Sequence, residues 1–294
     1  MTTKWANMSN RRRPYVHHAA AVTGALAWAW AAVAPAYAAD ASPWDTGKHW
    51  AARLIAANAE GSNLRAGLEI KLDSGWKTYW RYPGDSGVPP VFDFASSENV
   101  KSVTVLWPAP QRFPDGSGGH AIGYMRHVIL PLRVVPEITG KPVKLRLKLA
   151  YGVCEKLCVP VEMRAEIPLT GSATAHDAAL TAAEARVPKP ASLGDGKFAI
   201  RAVRQEPALP PPAPRPRVIV EVAAPDGAKV DLFAEGPTAD WALPLPQPIA
   251  DEPGVRRFAF ELDGLPAGAK AAGAILKLTA VAGEQAIEVP IHLD

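Results

Sequence analysis

Cys154 and Cys158 are the two cysteines of the 294-residue chain, and three residues separate them. Thiols this close can bridge, exchange with another protein's disulfide, or hold a soft ion such as Cu(I) between two thiolates. A purely structural bridge explains the pair poorly. A cross-link stabilises chiefly by closing a loop in the unfolded chain, and for so short a loop that amounts to about 2 kcal/mol. A chain of this length can bury a core without such help. Redox exchange is therefore the leading reading, with a metal site and an inert bridge left open.

The elements beside the pair say how it is presented. From Lys144 to Tyr151 the sequence alternates: Leu145, Leu147, Leu149 and Tyr151 share one side, and Lys144, Arg146 and Lys148 the other. After the pair, Val159, Val161, Met163, Ala165 and Ile167 oppose Glu162, Arg164 and Glu166. A period of two marks strands with one buried face, so the cysteines are expected at the end of a hairpin, where two Cβ atoms come within bridging distance.

The N-terminus carries a compartment signal. Arg11-Arg12-Arg13 precedes an alanine-rich apolar run, Ala19 to Val33, and Ala36-Tyr37-Ala38 fits a small-x-small cleavage site. Residues 1–38 are expected to be a signal peptide cleaved near Ala38. Asn10 to Tyr15 faintly resembles a twin-arginine signal, so the export route stays open. Four of the 32 basic residues lie in this segment with no acid beside them, which leaves 28 basic against 29 acidic residues in the rest. That near-neutral balance gives no footing for a nucleic-acid partner.

Thirty prolines, 23 glycines and strand-like runs every ten to fifteen residues point to an all-β chain. The organisation read from the pattern is residues 39–170 as a redox domain, 171–196 as a linker with one short helix in the alanine-rich stretch Ala175 to Val187, and 197–294 as a second sandwich with a supporting or docking role. Asp45 to Asn58 reads equally as strand or short helix. Pro108 to Tyr124 reads as a long loop with a flexible Asp115-Gly-Ser-Gly-Gly centre, suited to a lid. Trp76, Tyr79, Trp80 and Tyr82 form an aromatic cluster, divided between core packing and a partner surface. Pro210 to Pro216 reads as a rigid extended connection.

Three stretches together resemble the N-terminal domain of the DsbD family of thiol:disulfide interchange proteins, in particular its ScsB-like branch. They are Gly75-Trp-Lys-Thr-Tyr-Trp-Arg81, the Pro108-to-Pro131 region with Gly-Tyr-Met-Arg-His-Val-Ile-Leu-Pro at its end, and Tyr151-Gly-Val-Cys-Glu-Lys-Leu-Cys-Val-Pro160. The resemblance spans about residues 45–170. It implies an immunoglobulin-like sandwich carrying a redox pair, and so two immunoglobulin-like β-sandwich domains in tandem for the whole chain. It also implies Cys158 as the nucleophile, Cys154 as the resolving thiol, and a shielding cap loop at about Phe113 to Gly119. Asp115 aligns with an acid of that cap, Tyr79 with an aromatic near the pair, and Tyr151 falls in the same contact set. Electrons would come from a membrane-embedded thiol reductase and pass to thioredoxin-like or disulfide-containing periplasmic proteins, without a cofactor.

The sequence departs from that pattern in places. The cysteine spacing is short, and Ser117-Gly118-Gly119 stands where the cap has its aromatic tip, which leaves shielding to Phe113 or Ile122. The family's membrane and thioredoxin-like domains are absent from this chain, so a separate membrane protein is expected to supply the electrons. Lys156, between the cysteines, could steady a thiolate or be a solvated turn residue. His120 and His127 are further candidates near the cap. A Cu(I)-binding or copper-tolerance protein using the same cysteines, with Met125 and Met163 as possible thioether ligands, and an inert scaffold are the rival readings.

Overall fold

Alternating side chains dictate most of the first half of the fold. In the computed structural model, which describes residues 39–116, 118–207 and 215–294, that half contains β1 (Asp45–Gly47), β2 (Trp50–Ala56), β3 (Leu64–Leu72), β4 (Lys77–Gly84), β5 (Val91–Asp93), β6 (Val100–Val105), β7 (Gln111–Pro114), β8 (His120–Met125), β9 (His127–Pro136), β10 (Val143–Cys154) and β11 (Cys158–Leu169). One sheet has the order β1-β2-β3-β9-β6. The facing sheet runs β11-β10-β4-β8-β7, with β5 also paired to β10. Leu54, Leu68, Leu130 and Leu132 of the first sheet meet Trp80, Ile122, Leu145, Leu149, Met163 and Ile167 of the second in one core. Lys148–Glu162 and Arg146–Glu166 ion pairs line the outer side of the β10–β11 ribbon, as the sequence pattern requires.

The second half begins with α1 (Asp177–Ala185) and continues through β12 (Lys189–Pro190), β13 (Ala199–Glu206), β14 (Arg217–Ala223), β15 (Val230–Glu235), β16 (Gln247–Glu252), β17 (Val255–Glu261), β18 (Ile275–Ala282) and β19 (Gln285–His292). Two four-stranded sheets, β12-β19-β18-β15 and β13-β14-β17-β16, face each other over a core that includes Val220, Leu232, Phe258, Phe260 and Leu278. The chain is thus all-β, two immunoglobulin-like sandwiches in tandem, and its described residues form one compact unit. Among the described residues, no helix is long and apolar enough to cross a membrane. The N-terminal basic and apolar segment, its cleavage site near Ala38, and most of the proline run at 210–216 lie outside the described residues.

Several sequence expectations change. Asp45 to Asn58 holds strands β1 and β2 and no helix. The expected long loop from Pro108 to Tyr124 is mostly the β7–β8 hairpin, with Phe113 opposite Ala121, and its glycines and prolines had masked four buried residues, Ala121 to Tyr124. Gly123 is required there, because a Cβ would stand 1.9 Å from the Thr78 carbonyl oxygen. Strand β16 carries no clear alternation in the sequence, because Pro248 breaks its pattern. It sits at a sheet edge, beside a bulge, where a missing N–H does no harm.

The helix expected in a linker is docked on the first sandwich. Leu180 and Ala183 pack with Ile55, Ala57 and Ile129. Gly67 leaves the room, since a Cβ there would lie 2.9 Å from Leu180 Cδ1. Arg65 donates to Asp177, Thr181 and Glu184 at 2.7, 2.9 and 2.7 Å. Leu180→Ala should lower stability by about 2–4 kcal/mol in urea unfolding and speed amide exchange across α1. Unchanged exchange there would mean that the helix does not depend on this contact.

Candidate functional site

The β10–β11 ladder runs in register from Val143↔Leu169 to Cys154↔Cys158, its last pair. The two cysteines are disulfide-bonded, and Glu155-Lys156-Leu157 form the exposed tip beyond them. The expected hairpin and its placement of the pair are what the structure shows. The two sulfurs have unlike surroundings, however. Cys154 is 2% exposed and packs with Tyr79, Phe113 and Ala121, whereas Cys158 belongs to the exposed side of the tip.

Strand β4 supplies the polar contact. Its Lys77 pairs with Cys154 and its Thr78 with Val153, which places Tyr79 next to the bridge. The Tyr79 hydroxyl lies 2.8 Å from each sulfur. Gly152 leaves room for the Tyr79 ring, since a Cβ there would stand 3.0 Å from Tyr79 Cε2. Burial, with the negative charge of Asp115 adding to it, raises the Tyr79 phenol above its ordinary value. The hydroxyl therefore keeps its proton wherever cysteine thiols ionise, and it is a donor to whichever sulfur becomes a thiolate.

The β7–β8 hairpin packs against Cys154. Phe113, 8% exposed, covers the buried sulfur. The Lys77 ammonium lies 5.2 Å from the Phe113 ring centre. The turn closes on itself: Asp115 N–H donates to the Gly119 carbonyl, and Gly119 N–H donates to Asp115 Oδ1. It is also tied sideways, because His120 N–H donates to Asp85 Oδ2 and Asp85 N–H to the His120 carbonyl. Phe113 is the aromatic of this hairpin that packs in the Cys154 cluster. Ile122, the other residue considered for shielding, belongs to the sandwich core.

Of the residues singled out from sequence, Tyr79, Phe113, Cys154 and Cys158 come together, with Asp115 close enough to act on Tyr79 electrostatically. Tyr151 does not join them. It lies in the sandwich core, edge-on to Trp50 at 5.8 Å, because residue 151 and residue 154 fall on opposite faces of one strand. Trp80 and Tyr82 also turn away from the pair: Trp80 packs near Phe233, and Tyr82 donates to the Leu243 carbonyl. His127 Nε2 pairs with Glu69 at 3.0 Å, and Met163 is a core residue. Lys156 and Glu155 are exposed tip residues. Among the described residues there is no group of three or more His, Cys, Asp or Glu side chains placed to hold a metal. Lys77 and Gly152 were missed; neither residue type carries a signal by itself, and both matter only through their register with Cys154 and Tyr79.

Tyr79→Phe removes the donor and keeps the ring. A hydrogen bond to a thiolate favours the charged form. Alkylation of the reduced protein should therefore slow by about three- to tenfold at neutral pH, with the rate–pH profile displaced to higher pH. An unshifted profile would show that the hydroxyl does not serve the thiolate.

Residues 50–170 match the family model described as thiol:disulfide interchange protein DsbD, N-terminal. No curated protein matches the sequence. Among solved structures, the crystal structure of the N-terminal periplasmic domain of ScsB from Proteus mirabilis is similar, with a TM-score of 0.66 and 21% identity over 86% of this chain and 97% of that one. That coverage extends past residue 170, so the second sandwich shares the likeness in fold. The stretch that builds the disulfide, its tyrosine and its cap is accordingly a DsbD N-terminal-like domain.

Proposed function

We propose that this chain is a periplasmic thiol:disulfide interchange protein that takes electrons from a membrane-embedded thiol reductase and passes them to oxidised periplasmic proteins. The observation that carries the reading is the unequal exposure of one bonded pair: Cys154 is buried beneath Phe113 and Cys158 lies open at a ribbon tip. The family match and the signal-like N-terminus support both the reaction class and the compartment.

The geometry supports the following exchange. The Cys158 thiolate attacks one sulfur of a client disulfide; that S–S bond breaks, a mixed disulfide forms, and one client thiolate leaves. The Cys154 thiolate then attacks Cys158 Sγ. The intramolecular S–S bond forms and the second client thiolate departs, each leaving thiolate taking a proton from solvent. The client gains two electrons and the pair loses two. Recharging runs the same steps backwards: a donor thiolate attacks the exposed Cys158 sulfur, and Cys154 leaves as a thiolate beside the Tyr79 hydroxyl, which is already in place to donate to it. Phe113 and Ala121 keep other thiols from Cys154 while it is free.

Trapping tests the assignment of roles. With Cys154→Ala, Cys158 has no resolving partner, and mixed disulfides with periplasmic clients should accumulate. With Cys158→Ala, the buried Cys154 should give at least about tenfold fewer, as reactivity follows thiolate access. Equal trapping by the two variants, or none by either, would contradict the proposal.

A further inference from the structure

The second sandwich meets the first at several points, and one of its strands, β15, reaches both elements that enclose the disulfide. Strand β15 lies at the edge of its sheet. Its Asp231 forms an ion pair with Arg112 at 2.8 Å. Arg112 also donates to the carbonyls of Leu232, on β15, and Pro246, just before β16, each at 2.9 Å. Two residues further along β15, Phe233 packs against Trp80, with the Arg112 guanidinium 5.8 Å from its ring centre. Glu235 receives two hydrogen bonds from Arg81, at 2.9 and 2.7 Å, and Arg81 reaches Glu288 of β19 as well.

The anchored residues are the chain neighbours of the shielding ones. Arg112 directly precedes Phe113 on β7, and Arg81 follows Tyr79 by two on β4. Both guanidinium groups are largely withdrawn from water, at 12% and 21% side-chain exposure. Removing such a charged donor leaves its buried acceptors unpaired, so these contacts hold their strands more firmly than surface pairs would. Strand β7 of the cap hairpin has only β8 beside it within its own sheet, and residues of the second sandwich meet its Arg112.

We infer that the second sandwich is a positioning element for the redox pair: through Arg112, with Arg81 alongside, it holds the cap strand and the Tyr79 strand closed over Cys154 and so sets how readily the disulfide is reached. Arg112 is the positioning residue of this device. The inference takes the pair to be exchange-active, as proposed above.

The test uses the full oxidised chain and dithiothreitol as the only reductant, so it needs no protein partner. Reduction of the disulfide in Arg112→Ala should be faster than in wild type by about fivefold or more. Its rate should approach that of Phe113→Ala, and the double variant should be no faster than Phe113→Ala alone. Arg257→Ala is the control. Arg257 pairs with Glu221 and Glu252 within the second sandwich, so its loss should lower stability without changing the rate. Arg112→Lys keeps the charge but not the fork, and Asp231→Asn keeps the shape but not the charge; both should give intermediate rates, and they carry the comparison if Arg112→Ala does not fold. Rates within twofold of wild type for all three interface variants would overturn the inference, as would acceleration by Arg257→Ala equal to that by Arg112→Ala. Failure of the wild-type protein to exchange with a thioredoxin-like protein would instead count against the proposed function and would leave the rate comparison standing.

Discussion

The site depends on the register of a single β-ribbon. Because Val143 pairs with Leu169, eleven further pairs follow, and the last is Cys154 with Cys158. A slip of one residue would turn Leu145, Leu147 and Leu149 out of the core and bring Lys144, Arg146 and Lys148 in. The core of the sandwich therefore fixes where the sulfurs meet, with no need for the bridge to hold the fold. The short cross-link adds only about 2 kcal/mol, and it stands at the end of the ladder, beyond the other eleven pairs.

Around that ribbon, each neighbour adds one property. Strand β4 brings a phenol to both sulfurs, and burial keeps that phenol protonated. The β7–β8 hairpin adds an aromatic cover on the inner sulfur only. The result is a bonded pair with one buried and one exposed cysteine, the asymmetry on which the proposed division of roles rests. A symmetric, fully exposed pair would exchange with any passing thiol, and a fully buried one would exchange with none. The edge strand of the second sandwich contacts, through Arg112 and Arg81, the two strands that carry Phe113 and Tyr79, and the inferred positioning role of the C-terminal half rests on those contacts.

The ribbon was legible in the sequence because its strands are long and half-buried, so a strict alternation survives in the letters. Tyr79 and Phe113 were found through likeness to a family and not through pattern, since nothing local distinguishes the ring that meets the sulfurs from Trp80 or Tyr82, which pack elsewhere. Tyr151 was misplaced for the same reason: closeness along the chain to Cys154 is not closeness in space when the two residues fall on opposite faces. The β7–β8 hairpin hid behind prolines and glycines whose purpose is close approach, as at Gly123 against the Thr78 carbonyl. Arg112 and Arg81 gave no signal, because an arginine that spans two domains has the same letter as one in solvent, and the domain contact is set by pairs 119 to 207 residues apart.

The most direct test of the central claim is to identify which sulfur accepts an incoming thiol. The oxidised protein is treated briefly with glutathione, quenched with acid, digested and analysed by mass spectrometry. The unequal exposure of the two sulfurs predicts the adduct on Cys158, with Cys154 released as the free thiol. An adduct found mainly on Cys154, or shared evenly between the two, would contradict the account.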